Sequence, residues 1–193
     1  MKIFKILTIA LCLLPRFLNA QILKFGVKGG LNIYHQTNGP NKSVTGYHAG
    51  IVIQKKLIDR LVLQSEALYS TEGSESIYYV DPRKTMLNYI NVPLLLQYMV
   101  SKNFAIEAGP QMGFLTSGQI TDRNFFVTDA KGTYRNFDYG LNTGLSYINL
   151  KSGFGLDTRY YISIPPVNKN RHSSHAYRNC GFQAGIFYLI RHK

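Results

Sequence analysis

The sequence predicts an all-β fold, an eight-stranded antiparallel up-and-down transmembrane β-barrel. Three observations carry this expectation. Period-two alternation of apolar and polar residues runs through most of the chain, and no apolar face at helical spacing lasts more than two turns. The connections between candidate strands alternate between short and long. Large apolar side chains collect on one face of each strand, and polar residues or glycine on the other. The 17 glycines, 14 tyrosines and 11 phenylalanines are a strand-and-turn composition, rich in the aromatic residues that favour interfaces.

The strands are expected at about 22–33, 44–56, 60–72, 86–100, 103–117, 134–148, 152–164 and 177–190. In the first three, Lys28, His48 and Glu66 share one parity. The fourth contains "LNYINVPLLLQY", too apolar for an ordinary surface strand. Its Ile90, Val92, Leu94, Leu96, Tyr98 and Val100 form one face, and Tyr89, Asn91, Pro93, Leu95 and Gln97 the other. In the fifth, Phe104, Ile106, Ala108, Pro110, Met112 and Phe114 oppose Glu107, Gly109, Gln111 and Gly113. The sixth sets Phe137, Tyr139, Leu141, Thr143, Leu145 and Tyr147 against Asp138, Gly140, Asn142, Gly144 and Ser146. The seventh sets Phe154, Leu156, Thr158, Tyr160 and Ile162 against Gly155, Asp157, Arg159, Tyr161 and Ser163. An eight-stranded barrel has little interior room, so the small and charged face belongs inside. The large apolar face then looks outward, into lipid, and closure of the barrel satisfies the backbone there.

Most of these strands match or exceed the ~9–11 residues of a tilted spanning strand. Short connections lie at "KLIDR", "VSKN" and "NLKSG". Long ones lie at "YHQTNGPNKS", "STEGSESIYYVDPRKT", "SGQITDRNFFVTDAKGT" and "PPVNKNRHSSHAY". Short turns on one side and long loops on the other are the pattern of outer-membrane barrels, and an even strand number puts both termini on the periplasmic, short-turn side. In the hairpin around "VSKN", facing parity sets Pro93 opposite Gln111 and Pro110 opposite Leu94. Each proline lacks a ladder donor, so a bulge or gap is expected there.

Lys28, Glu66, Glu107, Asp157 and Arg159 all have inward parity. Each lies near the short-turn end of its strand, in a band roughly 13–23 Å up the wall at ~3.3 Å per residue. Charges in so narrow a lumen must pair, because an isolated buried charge costs several kcal/mol. Arg159, with five donors, is the expected hub, bridging Glu107 and Glu66, and the layer is read as a structural plug.

The first residues, "MKIFKILTIALCLLPRFLNAQ", read as a secretory signal over 1–20, which leaves 21–193 as the barrel domain. Its removal takes Lys2, Lys5, Arg16 and Cys12, leaving 19 basic against 10 acidic residues, a net charge of +9. Cys180 is then the lone cysteine, expected as a small apolar residue on a strand, with no disulfide or Cys-x-x-Cys site. The basic residues fall in two groups, at the strand ends of one side and in the long connections of the other. Two basic rims suit anionic lipid head groups, including those of lipopolysaccharide, and export argues against nucleic acid as a partner. No nucleophile elbow, His-x-Glu-x-x-His spacing or phosphate-cradling glycine loop is present, so no catalytic residue, cofactor or metal is expected. His35, His172 and His175 are placed in loops, and "HSSH" is the one weak metal-binding candidate.

"FGVKGGLN" (25–32), "GYHAGI" (46–51), "LVLQSEALYSTEG" (61–73), "LNYINVPLLLQY" (87–98), "IEAGPQMGFL" (106–115), "FDYGLNTGLSY" (137–147) and "GFGLDTRY" (153–160) together resemble the small outer-membrane β-barrel proteins of Bacteroidetes, often called PorT-like. The resemblance implies an outer-membrane, eight-stranded barrel. Some relatives are linked to protein secretion, which makes a secretion accessory role, alongside other envelope or secretion proteins, the alternative to a structural, adhesive or partner-docking role through the long loops. A lipid-modifying enzyme is the third possibility. The chain departs from the usual aromatic end of such barrels, continuing past Tyr188 to Arg191, His192 and Lys193.

Overall fold

In a computed structural model, residues 23–37, 41–76, 83–122, 124–168 and 177–190 are described. The signal-like start, "HSSH" and the three last residues lie outside them. The strands are β1 (Lys24–Gln36), β2 (Asn41–Ile58), β3 (Leu61–Ser76), β4 (Lys84–Met99), β5 (Phe104–Thr121), β6 (Val127–Asp129), β7 (Phe137–Ile148), β8 (Phe154–Ser163) and β9 (Asn179–Ile190). Eight of them pair antiparallel in the order β4-β3-β2-β1-β9-β8-β7-β5, and pairing of β4 with β5 closes the ring. The first and last strands are neighbours, joined from Phe25↔Ile190 to Gln36↔Asn179.

The ninth strand, β6, is an addition to the expected eight, a three-residue return of a long connection onto the end of β5. Several wall strands also run further toward the long-loop end than their hydrophobic pattern does, because β2, β3, β4 and β5 continue to pair there with polar residues, as in Asn41↔Ser76, Glu75↔Lys84 and Lys84↔Thr121. The wall therefore stands taller over β2–β6 than over β7–β8, where Gly140↔Ser163 is the last pair. β7 starts at Phe137 rather than 134 because Tyr134 turns inward, where it is buried and bridged only to Asn168.

Alternation of exposure along every wall strand puts the large apolar residues outside. Val27, Leu31, Ile51, Leu94, Leu96, Ile106, Leu141, Leu145, Leu156 and Ile186 are all exposed. On β5 this belt runs from Phe104 to Phe114, beyond which the outward residues are Thr116, Ser117 and Gln119. At ~3.3 Å per residue and a tilt of ~40° that stretch is about 25 Å tall, the height of a barrel's lipid-facing band. Aromatic pairs mark both margins: Phe104–Tyr147 and Phe154–Tyr188 at the short-turn end, ring centroids 4.9 and 4.8 Å apart, and Phe114–Phe137 at 5.3 Å toward the long loops.

Inside, two small apolar clusters bracket a polar middle. Val52, Ile148, Phe187 and Leu189 pack near the short turns. Leu87, Tyr89 and Leu115 pack with the connection residues Ala130, Tyr134 and Val167 at the opposite mouth.

Pro93 faces Gln111 and the expected gap between β4 and β5 is present where Pro110 faces Leu94, but a second lapse, between β3 and β4, was not expected. β4 and β5 lose pairing at Leu94–Leu95 against Gly109–Pro110, while β3 and β4 lose it at Glu66–Ala67 against Val92–Pro93. Register is the same on either side of both lapses, so these are gaps and not bulges. Each gap holds one proline, and the two open on opposite edges of β4. Backbone amides at Glu66 and Leu94, which face the two prolines across these gaps, are accordingly expected to exchange with deuterium faster than those two pairs away on the same strands. Uniform protection along β3 and β4 would contradict this account.

Candidate functional site in the barrel lumen

Among the described residues, buried charged side chains converge in the polar middle of the lumen. In the ring, β1, β3, β5 and β8 are every second strand, and β3 lies directly across from β8, as β1 lies across from β5. Strand tilt staggers neighbours, so side chains reaching one height come from alternate strands. Lys28 (β1), Glu66 (β3), Glu107 (β5), and Asp157 and Arg159 (β8) are placed in this way. All five are buried, Arg159 to 1 % exposure.

Arg159 spans the lumen. Its Nη1 and Nη2 donate to the two carboxylate oxygens of Glu66, both at 2.7 Å, and its Nε donates to Glu107 Oε1. This is the bidentate fork for which a guanidinium is shaped, with a third bond to spare. Lys28 Nζ sits 2.7 Å from Asp157 Oδ2 and 3.4 Å from Glu66 Oε1. Gln64 donates to Glu66 at 2.5 Å and Gln97 to Glu107 at 2.8 Å, so the carboxylates have partners beyond the cations. Gly144, paired with Arg159, gives the guanidinium's stem its room. A Cβ there would lie 2.3 Å from Thr158 O and 2.8 Å from Arg159 Cγ.

A second polar layer lies toward the long loops, and sequence reasoning did not assemble it. Glu72 accepts from Asn91 at 2.7 Å and Ser70 at 3.3 Å. Asp138 accepts from Ser163 at 2.5 Å, Tyr161 at 3.1 Å and the Tyr139 amide at 2.9 Å. Among the described residues no cation contacts either carboxylate. Both residues carry inward parity, which was the available signal; with no opposite charge on the same level, nothing drew them together. Asn32 joins the layers, donating to Ser70 Oγ at 2.9 Å while its Oδ1 accepts from His48 Nδ1 at 2.7 Å. That contact places a proton on Nδ1 of His48. Nε2 and Asp157 Oδ1 have no protein partner, and both lie about 3 Å from the point where Gly185 would carry a Cβ.

His35, placed in a loop from sequence, is instead the penultimate residue of β1, with its Nε2 3.1 Å from Cys180 Sγ on β9. Among the described residues no group of three or more His, Cys, Asp or Glu side chains is arranged to hold a metal. The charges of the lumen are thus buried and mostly paired, with Asp157 Oδ1 and His48 Nε2 left over.

Comparison with known proteins agrees with this architecture. Neisserial surface protein A is 16% identical over 85% of this chain and 96% of its own, with a TM-score of 0.56. Ail, the attachment invasion locus protein of Yersinia pestis, is 11% identical over 86% of this chain and 98% of its own, with a TM-score of 0.52. At such identities the likeness is one of fold. No curated protein matches the sequence. The family profile described as outer membrane protein beta-barrel domain matches residues 19–168, most of the wall and all five charged lumen residues. An eight-stranded wall with an apolar outside and a charged inside, matched by that profile, makes this chain a member of the outer membrane protein beta-barrel domain family.

Proposed function

We propose that the protein is a non-enzymatic outer-membrane scaffold that acts at the cell surface through its long loops, in adhesion, envelope structure or partner docking. Both mature termini are then periplasmic, after removal of a signal at 1–20. One observation carries the reading: the Arg159–Glu66 bridge runs across the lumen, with Lys28, Glu107 and Asp157 filling the same level. A barrel of this size filled by its own side chains has no bore for solutes. The charged layer is a plug that fixes the interior, and the surface that remains for recognition is the one carried by loops on a rigid support. Exposed Lys56, Arg60, Lys102 and Lys151 at one end and Lys42, Arg83, Lys84 and Lys131 at the other support contact with anionic head groups on both sides of the membrane.

Protease added to intact cells is expected to cut within 73–85, 117–133 or 165–176; cleavage confined to the short turns would reverse the orientation. The purified protein in a planar bilayer is expected to give no conductance steps. Cross-linking in intact envelopes, followed by co-purification, separates surface partners from secretion components, which the resemblance to PorT-like proteins makes the competing class.

A further inference from the structure

The side chains of the wall do not fill the lumen at its short-turn end. A cavity of about 570 Å³ opens there, and every strand residue that lines it, from Lys24 on β1 to Ile148 on β7, has inward parity. The remaining lining residues belong to the three short turns. The cavity therefore lies within the ring, with the wall between it and lipid. Its volume falls within the ~300–1,000 Å³ of small-molecule sites.

Its floor is made of amides. Gln54 and Gln97 line it far from the turns on their strands, and both are buried, 8% and 3% exposed. Gln54 donates to Gln64 Oε1 at 2.5 Å; Gln97 donates to the same oxygen at 3.0 Å and to Glu107 Oε2 at 2.8 Å. These glutamines stand between the cavity and the charged plug. The cavity is thus blind, a place to bind and not a passage.

Its rim is cationic. Lys24, Lys56, Arg60 and Lys102 line it against one carboxylate, Asp59, a net charge of +3. Asp59 pairs with Lys56 at 3.0 Å, and among the described residues no carboxylate pairs with Lys24, Arg60 or Lys102. Glu107, below the floor, is already held by Arg159 and Gln97. On the wall between rim and floor stand Val62, Met99, Ala105 and Ile148. Cations gathered around a concave, low-dielectric wall focus their field inward and raise the local concentration of anions. An apolar wall behind them favours an anion that carries an apolar body.

We propose that the short-turn mouth of the barrel binds a small amphipathic organic anion, its acidic group among Lys24, Arg60 and Lys102 and its apolar body against Met99 and Ile148. The ligand arrives from solution, because the cavity opens inside the ring and not toward the surrounding leaflet. The site lies at the end opposite the long loops and goes beyond the surface role proposed for them.

The test uses full-length protein in phosphatidylcholine nanodiscs, dialysed to equilibrium against naphthyl phosphate. Wild type is expected to retain the probe saturably, above the level of empty nanodiscs. Arg60→Gln/Lys102→Gln is expected to weaken retention by ~10-fold or more, the loss of charge-assisted contacts. Val62→Phe, which fills the cavity and keeps its charges, is expected to weaken it as well. Lys151→Gln, at the same end but outside the cavity, is expected to change retention less than twofold. Retention no greater than by empty nanodiscs, or undiminished in Arg60→Gln/Lys102→Gln, overturns the proposal. So does an equal loss in Lys151→Gln, which would put the probe on the outer basic rim. Displacement by inorganic phosphate as strong as by naphthyl phosphate itself would leave a site for a bare anion, and the amphipathic site would fall. The assay is independent of orientation in the cell, so cleavage of the short turns in intact cells would sink the surface role and leave this site standing.

Discussion

Arg159→Leu is expected to destabilise the barrel by ~3–5 kcal/mol, the usual cost of removing one partner from a buried ion pair. The variant leaves Glu66, Glu107 and Asp157 with Lys28 as the single cation in the layer, and Lys28 reaches only two of them. Thermal unfolding in detergent, followed by loss of the compact form's electrophoretic mobility, measures the effect. Arg159→Lys is not expected to restore stability, because one ammonium cannot span both oxygens of Glu66 and reach Glu107 as well. Glu66→Gln in the Arg159→Leu background should recover part of the loss, so the double variant loses less than the two single variants added together. Wild-type stability in Arg159→Leu would remove the plug from the account of this lumen.

Leu141→Arg is the second large effect, at ~2–4 kcal/mol, because Leu141 faces outward opposite Pro110, midway between the aromatic margins Phe104 and Phe114. Phe137→Arg at the margin is expected to cost only ~0–1 kcal/mol, since an arginine there reaches head groups. Refolding into lipid vesicles under denaturant gives both values. Equal costs at the two positions would mean that the belt does not mark the depth of the membrane.

The distribution of side chains between inside and outside was legible because parity is a strict code in a strand. Lys28, Glu66, Glu107, Asp157 and Arg159 could be assigned one face with no knowledge of which strands adjoin. Their meeting is a property of closure, since β3 and β8 are far apart in sequence and opposite in the ring. Parity also put Asp138 on the inner face, but carboxylates satisfied by serine and tyrosine hydroxyls leave no opposite charge to search for. Connections carry no such code. Ala130, Tyr134 and Val167 lack a period that would mark them as the lining of a mouth, and three residues of β6 are too few to show alternation. The prolines were found at the expected height, but which edge of β4 each one opens depends on the direction in which its missing N–H would have pointed. Parity is silent on that.

The spacing of the charged residues along the chain bears on how the barrel is assembled. Lys28 and Glu66 are 38 residues apart, Glu107 and Arg159 are 52 apart, and Glu66 and Arg159 are 93 apart. Apart from Asp157 and Arg159, 3.5 Å apart on β8, no hairpin contains both members of a pair, so Lys28, Glu66 and Glu107 enter the bilayer unmatched. Neutralisation waits until β8 stands opposite β3, and β9 then seals against β1. A partly formed sheet in lipid carries bare charge on its inner face and is held back at the aqueous border or by the insertion machinery. The same residues that rigidify the finished wall thus make its half-built forms unfavourable, which couples crossing the membrane to closing the ring and leaves few stable stopping points between them.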